Sequence, residues 1–162
     1  MTSRSNLHNA YVGLGANLGR REKNISAALN ALQTTRDVEV VKVSGLYQTE
    51  PVGGPDGQPK FLNAAAHLRT PLTPERLLTL CQRIEDLLGR ERRVAWGPRP
   101  IDIDILCFED EIRSSPELMI PHPLMHERRF VLEPLAEIAP ELVHPVLQRT
   151  VRELFEAVCS VE

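Results

Sequence analysis

Two aspartates placed two positions apart are the side chains of this sequence best suited to chemistry. Asp102 and Asp104 lie in a stretch where Ile101, Ile103, Ile105 and Cys107 alternate with Asp102, Asp104, Leu106 and Phe108. This period of two predicts a β-strand with one apolar face, whose opposite face begins with both carboxylates and ends apolar. Side chains two apart lie roughly 6.6 Å apart on one face. Two carboxylates at that distance repel by about 2.5 kcal/mol at an effective dielectric of ~20.

Cations bound between the two carboxylates would remove this repulsion. Carboxylate oxygens on a partly exposed face favour Mg²⁺, and two Mg²⁺ ions could be bridged in this way. A solvated strand face is the alternative interpretation of any pair of aspartates with this spacing. The apolar continuation of the face, and the entry to the strand through Trp96 and Pro98-Arg99-Pro100, favour a cleft.

Basic residues are concentrated immediately before this strand. The segment 89–99 holds four arginines and one glutamate, a local charge of +3 (four minus one): Arg90, Arg92, Arg93, Arg99 and Glu91. Metal ions and arginine forks together are complementary to a triphosphate, because the metals neutralise some oxygens and the guanidinium groups bind the others. Trp96 in the same segment could stack on a base. Solvated surface charge is the alternative.

Further candidate ligands are weaker signals taken one at a time. Phe61 and Asn63 share a face of a predicted strand, where a ring could stack on a heterocycle and an amide could bind its edge. A half-buried asparagine that satisfies a loop would look the same. His122 lies in a proline-rich turn followed by Arg128, Arg129 and Phe130, and Gln82 and Glu85 lie three apart on a predicted helix.

The glycine-rich segment Gly13-Leu14-Gly15-Ala16-Asn17-Leu18-Gly19 is not a dinucleotide-binding motif. Its third glycine comes one position later than in the G-x-G-x-x-G pattern of such motifs. The acidic residue that binds the ribose should end the second strand, but the nearest acid, Asp37, precedes that strand. We interpret these glycines as residues that let the first strand exit tightly.

The elements that must position these residues follow a recognisable order. The patterns predict strands over 10–17, 38–49, 61–68 and the aspartate stretch, the last with a partner near 111–112. Helices are predicted over 20–35, 74–88 (begun by Thr73-Pro74) and 151–158, with an apolar stretch at 130–138. This order predicts an α+β fold, the ferredoxin-like β-α-β-β-α-β antiparallel sheet with additional helices in an α/β/α sandwich. We expect residues 1–162 to form a single domain, with 1–9 as a flexible tail.

Composition narrows the class of partner. The chain is 42% hydrophobic and 25% charged with a net charge of −3, which gives no global field for nucleic acid. No segment is apolar enough to span a membrane or to act as a signal peptide. The three cysteines are far apart, which predicts reduced thiols. We therefore expect a cytoplasmic protein with no nucleic-acid or membrane partner.

Several motifs taken together resemble one known family. They are Gly15-Ala16-Asn17-Leu18-Gly19, Tyr47-Gln48-Thr49-Glu50-Pro51, Phe61-Leu62-Asn63-Ala64, Gln82-Arg83-Ile84-Glu85, Arg90 with Trp96 to Asp104, Ile120-Pro121-His122-Pro123 and Arg128-Arg129-Phe130. In this order they resemble 6-hydroxymethyl-7,8-dihydropterin pyrophosphokinase, an enzyme of folate biosynthesis. The motif that ends in the two aspartates is the most specific, and the resemblance covers nearly the whole chain.

The resemblance implies transfer of the pyrophosphoryl group of ATP to the hydroxymethyl group of 6-hydroxymethyl-7,8-dihydropterin, with release of AMP, by a monomer. It implies two Mg²⁺ ions held by Asp102 and Asp104, with Arg90 and Arg99 as further catalytic residues. The implied ATP ligands are Gln82, Glu85, Arg90, Arg92, Trp96, Arg99, Ile105, His122 and Arg128. The implied pterin ligands are Thr49, Glu50, Val52, Phe61, Asn63, Asp102 and Phe130.

The sequence departs from the family pattern at a few positions. Glu117 and Met119 stand where the family carries a basic and a hydroxyl residue, and Phe61 replaces a tyrosine. Two other classes of function remain open. A non-catalytic ferredoxin-like module could bind a small ligand without needing the aspartates, and a two-metal nuclease or phosphatase could use them for hydrolysis. The acidic net charge argues against the nuclease.

Overall fold

The elements of the chain follow the predicted order in a computed structural model that describes residues 7–16, 20–49, 60–89 and 101–161. The strands are β1 (His8–Ala16), β2 (Glu39–Val43), β3 (Tyr47–Thr49), β4 (Phe61–Thr70), β5 (Asp102–Phe108), β6 (Arg113–Ser114) and β7 (Met119–Ile120). The helices are α1 (Arg21–Thr34), α2 (Pro74–Gly89), α3 (Arg129–Ile138) and α4 (Val151–Val161), with a 3₁₀ turn at Met125–Glu127. No helix among the described residues is both long enough and apolar enough to cross a bilayer.

The main sheet has the strand order β2-β4-β1-β5, and β3 continues the pairing of β2 along β4. All of these pairs are antiparallel. One face of the sheet forms a hydrophobic core with α1 and α2, and the other forms a second core with α3 and α4. This is the ferredoxin-like order in an α/β/α sandwich, so the predicted fold class is confirmed.

Helix α2 begins as the sequence predicts. Thr73 caps it, because its Oγ1 accepts a hydrogen bond from the backbone N–H of Arg76 at 3.2 Å, and Pro74 is its first residue. Leu77, Cys81 and Ile84 form its buried stripe, so this helix presents its polar side to the surface.

The expected flexible tail was too long. His8 and Asn9 already belong to β1, where they pair with Thr70 and Arg69 of β4; residues 1–6 lie outside the described part of the chain. The predicted partner of the aspartate strand near 111–112 was also wrong. β5 pairs with β1, whereas Arg113–Ser114 pairs with Met119–Ile120 as a separate hairpin.

The long strand predicted over 38–49 is interrupted at residues 44–46. The backbone N–H of Ser44 donates to the carbonyl of Ala65 at 2.9 Å. The side-chain Oγ of Ser44 accepts a hydrogen bond from the backbone N–H of Ala65 at 2.9 Å. One serine therefore satisfies both backbone groups of Ala65, and the chain bends before it rejoins the sheet as β3. Alternation alone could not reveal this break, because Val43 and Tyr47 continue the apolar pattern on either side.

A β-bulge changes the second half of β5. Val12 lies opposite Ile105, but Tyr11 lies opposite Cys107, so Leu106 is an extra residue in the ladder. After the bulge the two faces exchange. Cys107 joins Leu106 in the core under α3 and α4, and Phe108 joins the isoleucines in the other core. The prediction that Cys107 shares the isoleucine face and Phe108 the aspartate face was wrong for this reason.

A buried histidine organises the loop before α4. His144 is 5% exposed, and its Nδ1 accepts hydrogen bonds from the backbone N–H groups of Val146 at 3.2 Å and Leu147 at 3.1 Å. Burial lowers the pKa of His144 from its ordinary value of 6.5, and neighbouring His126 lowers it further. The loop is therefore built on the neutral form of the ring.

We expect the stability of the protein to fall in acid partly through this residue. Because the folded pKa of His144 lies below the unfolded value of 6.5, its contribution is complete above pH 6.5 and is lost as the pH falls through the folded pKa. His144→Asn retains a side-chain acceptor and cannot titrate. Urea unfolding at a series of pH values should show a weaker pH dependence for this variant. Parallel curves for the two proteins would contradict the assignment.

Candidate active site

A cleft of about 530 Å³ opens between the sheet and the start of α3. Strands β1, β3, β4 and β5 supply its floor and one wall, and the segment that runs from His122 into α3 supplies the other. The residues that line it are Gly13, Leu14, Gly15, Thr49, Phe61, Asn63, Ala64, Asp102, Asp104, Leu106, His122, Glu127, Arg128, Arg129, Phe130 and Val131. Eight of the predicted site residues are therefore brought together in one cavity.

The two aspartates point into this cleft from β5. Asp102 lies opposite Gly15 and Asp104 lies opposite Gly13 in the β1 ladder, so both carboxylates are on one face, as the alternation predicts. Asp102 is half-buried and Asp104 is exposed. Within the described residues no group of three or more histidine, cysteine, aspartate or glutamate side chains could hold a metal. Two carboxylates with an accessible side suit Mg²⁺, which usually completes its shell with substrate phosphates and water.

Glu85 supports the backbone between the aspartates. Its Oε2 accepts a hydrogen bond from the N–H of Ile103 at 2.7 Å. In the described sheet β5 is the edge strand, and Ile103 directs this N–H away from β1, towards α2. Glu85 therefore ties α2 to the segment that carries both carboxylates.

Two glycines form the floor of the cleft. Gly13 and Gly15 lie within β1 on the same face as the aspartates, so the interpretation of these glycines as a tight strand exit was wrong. A β-carbon at Gly15 would lie 3.2 Å from Oδ1 of Asn63, and one at Gly13 would lie 3.5 Å from Leu106. The absence of side chains at these positions leaves room for a flat ligand. The alternation of glycines with Val12 and Leu14 was the signal in the sequence.

Aromatic and amide groups form the wall at β3 and β4. Phe61 and Asn63 both line the cleft, and Asn63 Nδ2 donates a hydrogen bond to Oγ1 of Thr49 at 2.7 Å. Asn63 is only 6% exposed, so this bond fixes its amide at the cavity surface. The oxygen of the same side-chain amide, Oδ1, faces Gly15. A rigid amide beside a ring is suited to bind the edge of a heterocycle.

The opposite wall carries positive charge and a second ring. Phe130 and Arg128 line the cleft, and the Arg128 guanidinium carbon lies 5.5 Å from the centre of the Phe130 ring. This contact orients the guanidinium beside the aromatic surface. Phe61 and Phe130 lie on opposite walls, an arrangement suited to hold a flat ring between them.

His122 is held next to the aspartates by the bulge in β5. Its backbone N–H donates to the carbonyl of the bulged residue Leu106 at 2.9 Å, and its Nδ1 accepts from the N–H of Leu124 at 3.3 Å. Burial lowers its pKa; Asp104 opposes this shift and Arg128 adds to it. The neutral ring then carries its proton on Nε2, where it can donate to an anionic oxygen.

Three predicted ATP ligands of the described chain do not line this cavity. Gln82 is exposed on α2, Glu85 binds the backbone of β5, and the Ile105 side chain is buried at 5% exposure in the core under α1 and α2. Their proposed contacts with ATP remain predictions. The predicted site residues Glu50, Val52, Arg90, Arg92, Trp96 and Arg99 lie outside the described residues.

Some lining residues were not predicted as ligands, notably Leu106, Glu127 and Val131. The alternation placed Leu106 on the face of the two aspartates, but its apolar side chain gave no reason to predict a contact with a ligand. Arg129 also reaches the cavity surface, although its guanidinium carbon lies 6.0 Å from the ring of Phe155 on α4. The pairing of this arginine with an aromatic residue 26 positions later had no signal in the sequence.

Comparison with known proteins gives one consistent result. Residues 11–140 match the family model described as 7,8-dihydro-6-hydroxymethylpterin-pyrophosphokinase (HPPK). The chain is 49% identical over 133 residues to 2-amino-4-hydroxy-6-hydroxymethyldihydropteridine pyrophosphokinase of Bacillus subtilis, covering 82% of this chain and 79% of that relative. It is 48% identical over 144 residues to the protein of the same name from Methylorubrum extorquens, covering 89% of each.

Solved structures show the same fold at low sequence identity. The wild-type HPPK-DHPS of Plasmodium falciparum with pteroate matches with a TM-score of 0.75 and 19% identity, over 95% of this chain. An HPPK-DHPS in complex with substrates matches with a TM-score of 0.75 and 14% identity, again over 95% of this chain. The present chain spans only 43% and 44% of those two longer proteins.

Proposed function

This chain belongs to the 7,8-dihydro-6-hydroxymethylpterin-pyrophosphokinase family, and we propose that its cleft carries out the family reaction. The enzyme transfers the pyrophosphoryl group of ATP to the hydroxymethyl group of 6-hydroxymethyl-7,8-dihydropterin in folate biosynthesis. The assignment of the cleft rests on two kinds of group that lie close together in it. Two carboxylates suited to a metal–phosphate group and two phenylalanines suited to a flat ring line the same cavity.

The pterin would occupy the space between Phe61 and Phe130. Stacking between two rings holds a planar heterocycle but does not fix its rotation within the slot. Polar groups must therefore set the orientation of the pterin. Asn63 supplies a fixed amide, held by Thr49, and Asp102 lies on the other side of Gly15 in the sheet. Backbone groups of Thr49, Glu50 and Val52 would cover the remaining edge.

The triphosphate would lie on the side of the two aspartates. His122 and Arg128 line the cleft next to them, and each can donate hydrogen bonds to phosphate oxygens. Arg90, Arg92, Trp96 and Arg99 would complete this side, with Gln82, Glu85 and Ile105 towards the nucleotide. Arg90 and Arg99 would act as catalytic residues by stabilising the charge that develops on the transferred group.

Asp102 and Asp104 would hold two Mg²⁺ ions, whose chemistry when bound is to neutralise phosphate charge and to lower the pKa of the pterin hydroxyl. The carboxylates fit this role because they share one accessible face of β5. The protein itself supplies position: the two rings and Asn63 would orient the acceptor, and His122 and Arg128 would hold the phosphates beside it. Catalysis of phosphoryl transfer depends mostly on such positioning and electrostatic stabilisation.

We further propose that the enzyme acts as a monomer in the cytoplasm. One chain supplies both walls of the cleft. All three cysteines are free thiols, two of them buried, which supports a reducing compartment. Size-exclusion chromatography with light scattering would test the oligomeric state.

A nucleotide product assay tests the proposed function directly. The protein is incubated with ATP, Mg²⁺ and 6-hydroxymethyl-7,8-dihydropterin, and the nucleotides are separated by ion-exchange chromatography. We expect AMP to form only when the pterin is present. Formation of ADP would contradict pyrophosphoryl transfer, and hydrolysis that does not need the pterin would favour a two-metal hydrolase. A folded protein that binds ligands without turnover would favour the binding module.

A further inference from the structure

A glutamate at the far end of α3 binds the strand that forms the opposite wall of the cleft. Oε1 of Glu137 accepts a hydrogen bond from the hydroxyl of Tyr47 at 2.6 Å. Its two carboxylate oxygens also accept from the backbone N–H of Gly45, at 3.1 and 3.2 Å. The carboxylate therefore fixes both the turn that leads into β3 and the first residue of β3.

The bound strand belongs to the pterin wall. Tyr47 lies opposite Asn63 in the antiparallel pair of β3 and β4, on the face that looks towards α3. Two residues further along β3, Thr49 binds the Asn63 amide at 2.7 Å. A displacement of β3 at Tyr47 would therefore move the hydrogen-bond partner of the amide proposed to bind the pterin edge.

Glu137 also lies on the helix that carries the second ring. Phe130 and Glu137 are seven residues apart on α3, which is about two turns and about 10.5 Å along the axis. That spacing places the two side chains on the same side of the helix. One end of this side contributes Phe130 to the cleft and the other end is bound to β3.

We propose that Glu137 is a positioning residue that sets the width of the pterin slot. It links α3, which carries Phe130, to β3, whose Thr49 holds the Asn63 amide. The inference rests on the proposed function, because it assumes that the pterin lies between Phe61 and Phe130. Glu137 is not a lining residue of the cleft. It acts on the acceptor substrate only through the geometry of the walls.

Tyr47 carries a spectroscopic signature of the contact. The hydrogen bond to Glu137 is the main cause that raises the pKa of Tyr47 to about 12. Removal of the carboxylate should return the Tyr47 pKa towards the ordinary value of about 10. The sequence has only two tyrosines. The ultraviolet titration of the Tyr47→Phe variant therefore reports Tyr11 alone, and the remaining part of the wild-type titration belongs to Tyr47.

Calorimetry on the full chain separates positioning from stability. Binding of 6-hydroxymethyl-7,8-dihydropterin is measured with Mg²⁺ and a non-hydrolysable ATP analogue present, and binding of the analogue is measured alone. For Glu137→Ala we expect the pterin Kd to rise about five- to tenfold, which is about 1–1.4 kcal/mol and within the net contribution of a typical hydrogen bond, with analogue affinity unchanged. Glu137→Gln keeps a side-chain acceptor and should restore most of the affinity.

A double-mutant cycle shows whether the two residues act through each other. If Tyr47→Phe and Glu137→Ala remove the same contact, the double variant should bind the pterin no worse than Glu137→Ala alone. Glu156→Ala is the matched control, since it removes an exposed carboxylate from α4, outside the cleft.

The outcomes are distinct. A Glu137→Ala protein with a lower thermal midpoint and an unchanged pterin Kd has lost only stability, and this would overturn the proposal. Equal weakening of pterin and analogue binding would also overturn it. A wild-type protein that binds the analogue but no pterin would refute the proposed function itself, and the positioning role with it.

Discussion

Replacing either aspartate of β5 by asparagine should reduce pyrophosphoryl transfer by at least about 10³-fold, because metal stabilisation of phosphate charge is worth several kcal/mol. Asparagine preserves the size of Asp102 and Asp104 and removes the negative charge that a divalent cation needs. The cleft contains both side chains on one face, so the loss should be similar for the two variants. Rates of AMP formation at saturating ATP and pterin measure the effect.

The stability of the same variants should move in the opposite direction. Two carboxylates on one strand face repel each other when no cation is bound, so Asp104→Asn should unfold at an equal or higher temperature than the wild type in metal-free buffer. Asp110→Asn, an exposed position in the turn after β5, is the matched control and should leave activity unchanged. An Asp104→Asn enzyme with more than about a tenth of the wild-type rate would be inconsistent with metal-dependent catalysis at this pair.

The second large effect should come from the ring at the start of α3. Phe130→Ala removes one wall of the proposed pterin slot, and stacking of a base on an aromatic side chain is worth about 1–3 kcal/mol. We expect the pterin KM to rise by about 10- to 100-fold. The ATP KM should change less. Any change in it would arise from Arg128, because the Arg128 guanidinium lies 5.5 Å from the Phe130 ring and is oriented by it. Steady-state kinetics with each substrate varied in turn separates the two effects.

Two substitutions identify stacking as the cause. Phe130→Tyr keeps the ring and should retain near-normal pterin affinity, whereas Phe130→Leu keeps apolar contact without the π surface and should remain impaired. Phe155→Leu provides the control for loss of a ring elsewhere, on α4. Equal pterin KM values for Phe130→Leu and the wild type would show that the ring acts only as apolar volume.

Local patterns in the sequence predicted most of what depends on near neighbours. The alternation around Asp102 and Asp104 gave the strand and the shared face of the carboxylates, because side-chain direction in a strand depends only on parity. Thr73 and the periodic residues after it gave α2. The order of elements gave the fold class, because few topologies satisfy a β-α-β-β-α-β order with short connections.

Tertiary structure decided the features that depend on pairing between distant segments. The bulge at Leu106 appears only when β5 is set against β1, and it moved Cys107 and Phe108 to unexpected faces and supplied the carbonyl that holds His122. Gly13 and Gly15 became the cleft floor because β4 and β5 flank β1.

The contact between Glu137 and Tyr47 joins residues 90 positions apart, and nothing in either local sequence predicts it. The sequence by itself determined which chemical groups are present and, up to the bulge in β5, which face of its strand each one occupies. The folded chain determined the distances between them, because those distances are set by the packing of α3 against the sheet.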